Sequence, residues 1–207
     1  MKKLVYLISP NKIDQNFFAS LDKVLSFNNV KFFQLRLKNL SQKKLLNFSK
    51  RIIKITTKHK VKFIINDNFI LASKINADGC HMGQHDGSFL KARKKLKNKI
   101  FGVTCHNSKK LAVKAIKNNA SYIAFLSGGQ PEIASSKNLN EINKINDSNF
   151  LITFSYGRRL QASALKEFGK NQENTENIQK AFNHRAKMNG LSSKGEWSEE
   201  LEKEFAA

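Results

Sequence analysis

The sequence predicts an α/β chain: a barrel of parallel strands alternating with helices, holding seven strands where eight would close it regularly. Three observations predict it. Short apolar runs rich in β-branched residues alternate with amphipathic stretches along most of the chain. Phe63 to Asp86 packs a strand, a short helix and a second strand into 24 residues, a connection that demands a parallel, right-handed crossover. Seven strand segments can be counted, at 4–9, 32–37, 63–67, 79–84, 100–106, 122–128 and 151–157.

Leu4 to Ser9 reads as a first buried strand, and Asn16 to Phe27 as the helix after it, with Phe17, Phe18, Leu21, Val24 and Leu25 apolar. Phe32 to Leu37 is the second strand. Its alternation places Gln34, Arg36 and Lys38 on one face, towards a barrel mouth. Three such groups facing inward are costly unless they meet an anion; the alternative is an edge strand with a solvated polar face. Ser41 is a candidate N-cap for an amphipathic helix reaching Lys58. Phe63-Ile64-Ile65 is a strand buried on both faces, stopping at Asn66-Asp67. Phe69 to Ile75 is a turn or two of helix, and Gly79 to Gln84 a strand ending before His85-Asp86.

In such units the strand C-termini carry the chemistry, so Asp67 and Asp86 share a rim. Two carboxylates converging there suit Mg2+, held by one or two carboxylates and completed by substrate phosphates. The alternative is that each aspartate caps the helix after it. Phe89 to Lys97 is a Lys-rich helix, Ile100 to His106 the fifth strand, and Ser108 to Asn119 a further helix. His106, at a strand end, is a solvated rim histidine or a proton carrier. Gly128-Gly129 and Gly157 free backbone N–H groups at the last two strand ends, and Arg158 adds a bidentate fork. A phosphate site after the last strands recurs in such barrels; the alternative is that both segments are turns. Asn174 to Asn189 is a terminal helix closed by Gly190. Residues 192–207 read as a loosely held polar tail around Trp197.

Charge is distributed unevenly. Residues 1–125 hold 26 Lys and Arg against 5 Asp and Glu, whereas residues 126–207 hold 11 of each, and no Glu precedes Glu132. So abrupt a break indicates mixed origin. The lysines are spread over every expected helix and no nucleic-acid motif accompanies them, so they read as solvated faces and not as a specific nucleic-acid site. A basic mouth still recruits phosphorylated small molecules. Cys80 and Cys105 lack metal or redox spacing and fit buried thiols in a reducing cytosol. No stretch is long and apolar enough to span a bilayer. The expected location is the cytoplasm.

The run IINDNFILASKINADGCHMGQHD resembles the central motif of thiamine-phosphate synthases, in which an Asn-Asp pair and an Asp after Gly-Gln serve diphosphate and Mg2+. Gln34-x-Arg36-x-Lys38 resembles that family's diphosphate-binding strand. Gly102-Val103-Thr104-Cys105-His106 matches its pattern too, with Thr104 where Ser is common. The resemblance covers about residues 1–125. It implies a TIM-type (β/α) fold and Mg2+, with Gln34, Arg36, Lys38, Asn66 and Thr104 on the diphosphate and Asp67 and Asp86 on the metal. The implied reaction joins a hydroxymethylpyrimidine diphosphate to a thiazole phosphate and releases pyrophosphate.

From about residue 126 the chain resembles the C-terminal end of class I fructose-bisphosphate aldolase instead, in Leu-Ser-Gly-Gly-Gln and Phe-Ser-Tyr-Gly-Arg. That resemblance implies a sugar-phosphate site at Ser127, Gly128, Gly157 and Arg158. Residues 1–191 are thus expected to form one composite barrel, 1–125 synthase-like and 126–191 aldolase-like. The sixth strand merges the sixth of one family with the seventh of the other, so one strand–helix unit is missing. An unclosed barrel leaves an edge open to self-association. The aldolase Schiff-base lysine lies in a Lys-Pro context, and this chain has no Lys-Pro, so aldol cleavage is not expected. The synthase's own thiazole-phosphate loops are gone as well, with Lys137 a candidate replacement for a loop lysine. The expected activity is therefore an impaired synthase. The alternatives are an aldolase relative without its lysine and a non-catalytic phosphate-binding fusion product.

Overall fold

The computed structural model describes residues 5–27, 29–147 and 150–203. Its seven strands are each followed by a helix, with β1 to β5 paired in sequence and β6 with β7, all parallel, an α/β architecture of the TIM type with seven strands. The chain divides into two compact units, residues 1–104 with 110–121, and residues 105–109 with 122–207.

The first unit runs β1 (Val5–Ile8), α1 (Phe17–Leu25), β2 (Val30–Leu35), α2 (Gln42–Lys58), β3 (Lys62–Asn66), α3 (Phe69–Lys74), β4 (Gly79–Met82), α4 (Phe89–Leu96), β5 (Ile100–His106) as far as Thr104, and α5 (Lys109–Lys117) from Lys110. Each strand pairs with its sequence neighbour, and the register fixes what shares a face: Gln34 opposes Ile64, Asn66 opposes His81, and His81 opposes Gly102. Strand side chains alternate between faces. One face therefore carries Phe33, Leu35, Phe63, Ile65, Cys80, Met82, Phe101 and Val103, all at most 1% exposed. Phe33 stacks on Phe63 with centroids 6.3 Å apart, Phe17 of α1 reaches Phe33, and Phe89 of α4 meets Phe101 edge-on at 5.8 Å. Burial of each such side chain contributes about 1.5–3 kcal/mol. The opposite face carries Gln34, Asn66, His81 and Thr104. Gly79 has no substitute on β4, because a Cβ there would lie 2.2 Å from the Ile100 carbonyl oxygen.

Two sequence expectations fail in this unit. Val5, Tyr6 and Ile8 are 37%, 36% and 45% exposed, so β1 is not a buried strand. It is the terminal strand of the sheet order, paired with β2 on one edge; Leu4 falls outside the described residues. The second strand also ends two residues early. Asn39 has a φ of +61°, and β2 stops at Leu35, so Lys38 is on the following loop, exposed, and strand alternation does not place it. Ser41 does cap α2, accepting from the Lys44 N–H at 3.4 Å.

The second unit runs β6 (Tyr122–Leu126), α6 (Glu132–Lys144), β7 (Leu151–Ser155), α7 (Arg158–Lys170), α8 (Thr175–Ser192) and α9 (Glu199–Lys203). β6 and β7 pair in register from Tyr122 with Leu151 to Leu126 with Ser155. The buried face of α6 is largely polar, Ser135, Ser136 and Asn140 beside Leu139, all 0% exposed. Arg185 of α8, 3% exposed, donates to Ser136 Oγ at 3.0 Å and to Glu202 of α9. Trp197 donates its ring N–H to Glu202 Oε2 at 2.8 Å and its backbone N–H to Asn140 Oδ1 at 2.9 Å. The segment expected as a loose tail is therefore packed as far as it is described, with Trp197 5% exposed. Gly190 does not close α8, which continues to Ser192. Helix propensity penalises glycine only by about 1 kcal/mol, which packing outweighs.

Candidate functional site

Four strand ends of the first unit bring the expected residues together. Gln34, 3% exposed, donates from Nε2 to Asn66 Oδ1 at 2.9 Å, joining the ends of β2 and β3. Asn66's oxygen is thereby used, and its amide N–H2 is the part left to meet a ligand. Arg36 follows β2, its backbone N–H held by Ser9 Oγ at 2.9 Å.

Asp67 directly follows β3 with a φ of +64°, a conformation uncommon outside glycine, asparagine and aspartate. Its N–H donates to the His81 carbonyl at 2.7 Å, which holds the turn open at the strand end. The Asp67 carboxyl meets that of Asp86 within hydrogen-bond reach. Burial, then the hydrogen bond and the charge of Asp86, push Asp67 up to about 6, while Lys38 and Arg36 pull the other way. Asp86 is aimed from its loop by the Gly83 N–H, which donates to Oδ2 at 2.6 Å.

Neither aspartate caps a helix. Asn68 caps α3, accepting from the Leu71 N–H at 2.8 Å, and Ser88 caps α4, accepting from Lys91 N–H at 3.3 Å. The residue next in line does the capping in the first case and one two positions on in the second. Both carboxylates are thus free of that structural duty. They line an open hollow of about 350 Å³ with Asn68, Phe69 and Ile70.

Thr104, at the end of β5, lies on the same sheet face. Its hydroxyl is 2.8 Å from His81 Nε2, and its carbonyl accepts from Gln84 Nε2 at 2.6 Å. His81 is the residue that sequence reasoning missed. Burial lowers its imidazole to about 4, with Asp86 opposing and Arg36 adding to the shift, so the ring is neutral near pH 7. Two-residue alternation from Gly79, together with the Asn66 register, would have placed it here.

A two-carboxylate site meets the preference of Mg2+ for oxygen ligands while leaving positions for water and phosphate. Among the described residues no group of three or more His, Cys, Asp or Glu side chains is arranged to hold a metal ion. Cys80 and Cys105 are both buried thiols, and burial pushes the Cys105 thiol up to about 11.

In the second unit, Ser127, Gly128, Gly157 and Arg158 follow the paired ends of β6 and β7. Gly128 and Gly129 have φ of +20° and +80°, values that L side chains rarely adopt. Arg159 Nη2 ties the two loops by donating to the Gly129 carbonyl at 2.9 Å. Glu132 adds a second tie, accepting from Ser163 N–H at 3.1 Å and Ser163 Oγ at 2.6 Å. Ser127 Oγ donates to the Ser155 carbonyl at 3.3 Å, so its hydroxyl proton is engaged and the loop's N–H groups are the available donors. Arg158, exposed, opens α7, whose first turn holds no acidic residue. Lys137 lies exposed on α6 and pairs with Glu199 at 3.1 Å. His106 is exposed at a φ of +52°.

The thiamine monophosphate synthase family matches residues 5–128, and the class-I fructose-bisphosphate aldolase family matches residues 90–207. Thiamine-phosphate synthase of Pelagibacter ubique (strain HTCC1062) is 61% identical over 125 residues, 60% of each chain. That of Clostridium acetobutylicum is 33% identical over 150 residues, 70% of each chain. Muscle-type fructose-bisphosphate aldolase of Lethenteron camtschaticum is 51% identical over 76 residues, 36% of this chain and 21% of the aldolase. A solved structure, thiamine phosphate pyrophosphorylase from Pyrococcus furiosus, shares the fold at a TM-score of 0.63 and 19% identity, covering 100% of this chain and 98% of that one. The chain spans about three-fifths of the length of the first of these synthase relatives.

Proposed function

This chain belongs, through residues 5–128, to the thiamine monophosphate synthase family, and on that premise we propose that it is an impaired transferase of the same type. Its first unit holds the diphosphate of a hydroxymethylpyrimidine diphosphate, and the pyrimidine passes to a thiazole phosphate. The bond from the pyrimidine methylene to the diphosphate oxygen breaks, its electron pair leaves with pyrophosphate, and the thiazole nitrogen forms the new C–N bond.

The observation that carries this reading is the Asp67–Asp86 pair, two carboxyls in hydrogen-bond reach with neither capping a helix. Such a pair costs free energy when both groups ionise, and a divalent cation removes that cost. Asp67 and Asp86 would hold Mg2+, which when bound offsets charge on the diphosphate. Arg36 and Lys38 add positive charge on the same side, since both act on Asp67. Asn66, oriented by Gln34, donates from its amide, and Thr104 from its hydroxyl.

In the second unit, Gly128 and Gly157 with Ser127 and Arg158 would take the phosphate of the other substrate, through backbone N–H groups and the guanidinium. These loops replace the synthase's own, which is why turnover is expected to be weak. We read residues 1–191 as one composite barrel, acting on phosphorylated small molecules in the cytoplasm without specific nucleic-acid contact. Among the described residues no helix is long and apolar enough to cross a membrane. The exposed β1 edge offers a surface for self-association.

Calorimetry with pyrophosphate tests the reading. Binding should require Mg2+, and equal affinity with and without the cation would refute it.

A further inference from the structure

His81 is half-buried on the site face, yet none of the roles above uses it. We propose that His81 is a positioning residue for the anion site, donating from Nε2–H to Thr104 Oγ1 and so leaving the Thr104 hydroxyl proton for a phosphate oxygen. This rests on the reading of Thr104 as a diphosphate ligand.

A threonine hydroxyl has one proton and two lone pairs. Left to itself it rotates and gives the proton to whichever acceptor is near. The 2.8 Å contact with His81 Nε2 removes that freedom. If the imidazole donates, one lone pair is filled and the proton is directed elsewhere. If the imidazole accepts, the proton is consumed and Thr104 can only present lone pairs, which repel a phosphate oxygen.

The surroundings hold both partners still. His81 lies on β4 opposite Gly102 of β5, two residues before Thr104, so the two side chains share a face. Gln84 pins the Thr104 carbonyl from the next loop at 2.6 Å. Its amide must present N–H there, because its oxygen would repel the carbonyl at that distance. The His81 backbone carbonyl oxygen also anchors Asp67, accepting from its N–H at 2.7 Å. One residue thus links the anion-binding hydroxyl to the carboxylate pair.

The test is pyrophosphate binding to the full chain with Mg2+, by calorimetry, for H81L, H81Q, T104V and the double variant H81L/T104V. Loss of one oriented hydrogen bond to an anion predicts about tenfold weaker binding for H81L and for T104V alike. The double variant should bind no worse than T104V. H81Q, whose amide N–H replaces Nε2–H, should stay within about threefold of the unsubstituted chain by the same bond energetics. A thermal melt identifies any variant that has unfolded. If H81L has, H81M, also lacking a donor, takes its place. Unchanged or tighter binding by H81L, or a loss that adds fully to that of T104V, overturns the proposal. Failure of the unsubstituted chain to bind pyrophosphate overturns the diphosphate reading and this one with it. Binding by that chain without coupling between the two positions overturns only the role of His81.

Discussion

Replacing Asp67 by Asn should stabilise the empty protein and weaken its ligand binding, and the opposite signs are what make the change diagnostic. Asparagine is isosteric and tolerates the φ of +64° that Asp67 adopts, so backbone strain does not confuse the result. The Asp67 carboxyl is raised from 3.8 to about 6, first by burial and then by Asp86. A raised carboxyl means that the folded chain holds its proton more tightly than the unfolded chain does. The stability tied to that proton is fully present below about pH 4 and is lost as pH rises through about 6. The shift is about two units, but Asp67 is only half-buried and solvent screens it, so roughly 1 kcal/mol survives. For a chain of this size that is a rise of about 2–4 °C in Tm. Scanning calorimetry of D67N at pH 7.5 without divalent cations should show that gain, and at pH 4 it should vanish. Over the same pH range, Mg2+-dependent pyrophosphate binding by the unsubstituted chain should strengthen as pH rises through about 6, as the carboxyl ionises. D67N should weaken that binding by about tenfold or more, the scale of a charge-assisted contact. A fall in Tm at pH 7.5 with pyrophosphate affinity unchanged would make Asp67 a structural residue and remove the metal site.

Glu202→Ala should lower stability by about 3 kcal/mol, because it strands the buried Arg185 guanidinium and the Trp197 N–H; a loss below about 1 kcal/mol in chemical denaturation would show that the contact is not formed. Arg158→Ala should weaken binding of inorganic phosphate to the second unit while leaving Tm within about 1 °C, since Arg158 is exposed; unaltered phosphate binding in calorimetry would strike it from the site. Borohydride reduction in the presence of dihydroxyacetone phosphate should leave no covalent adduct in the mass spectrum, as no lysine stands in a Lys-Pro context; a single stoichiometric adduct would revive aldol chemistry. Thiamine phosphate formation should be slow, and turnover matching that of a full-length synthase would show that the replaced loops are no handicap.

The alternation of apolar runs and amphipathic stretches made the seven strands legible, and polar residues closing apolar runs marked Asp67 and Asp86. Three features escaped, one set by a local turn and two by contacts between distant residues. The termination of β2 at Leu35 is one: Arg36 and Lys38 continue its alternation in the sequence, but Asn39 turns the chain at positive φ. The helix α6 is another. Its buried face is mostly Ser135, Ser136 and Asn140, so it carries little apolar periodicity, and its partners Asn189 and Trp197 lie 53 and 57 residues away. The third is His81, silent within Gly-Cys-His-Met until the register sets it between Asn66 and Thr104. Helix capping was readable as a preference but assigned one or two residues off, since Asn68 and Ser88 take the duty that Asp67 and Asp86 could have had.

The net charge of +21 invites a reading in terms of long-range field, and Asp67 shows why the local geometry outranks it. A uniformly cationic surround would favour ionised carboxylates and hold Asp67 low. Lys38 and Arg36 do act in that direction. The carboxyl is nevertheless high, because desolvation and a like charge at hydrogen-bond distance act over a few ångströms, while exposed lysines on α2, α4 and α5 are screened beyond about 10 Å. The excess positive charge therefore raises the local concentration of anions without setting the chemistry of the rim. A divalent cation held by Asp67 and Asp86 would reverse the balance where the lysines do not, supplying its charge at the carboxylate pair itself. On this argument, neutralising several surface lysines should slow pyrophosphate capture at low salt and leave the pH dependence of Mg2+ binding in place. A midpoint near pH 6 that moved with the lysines would mean that the distant field, and not Asp86 and burial, governs Asp67.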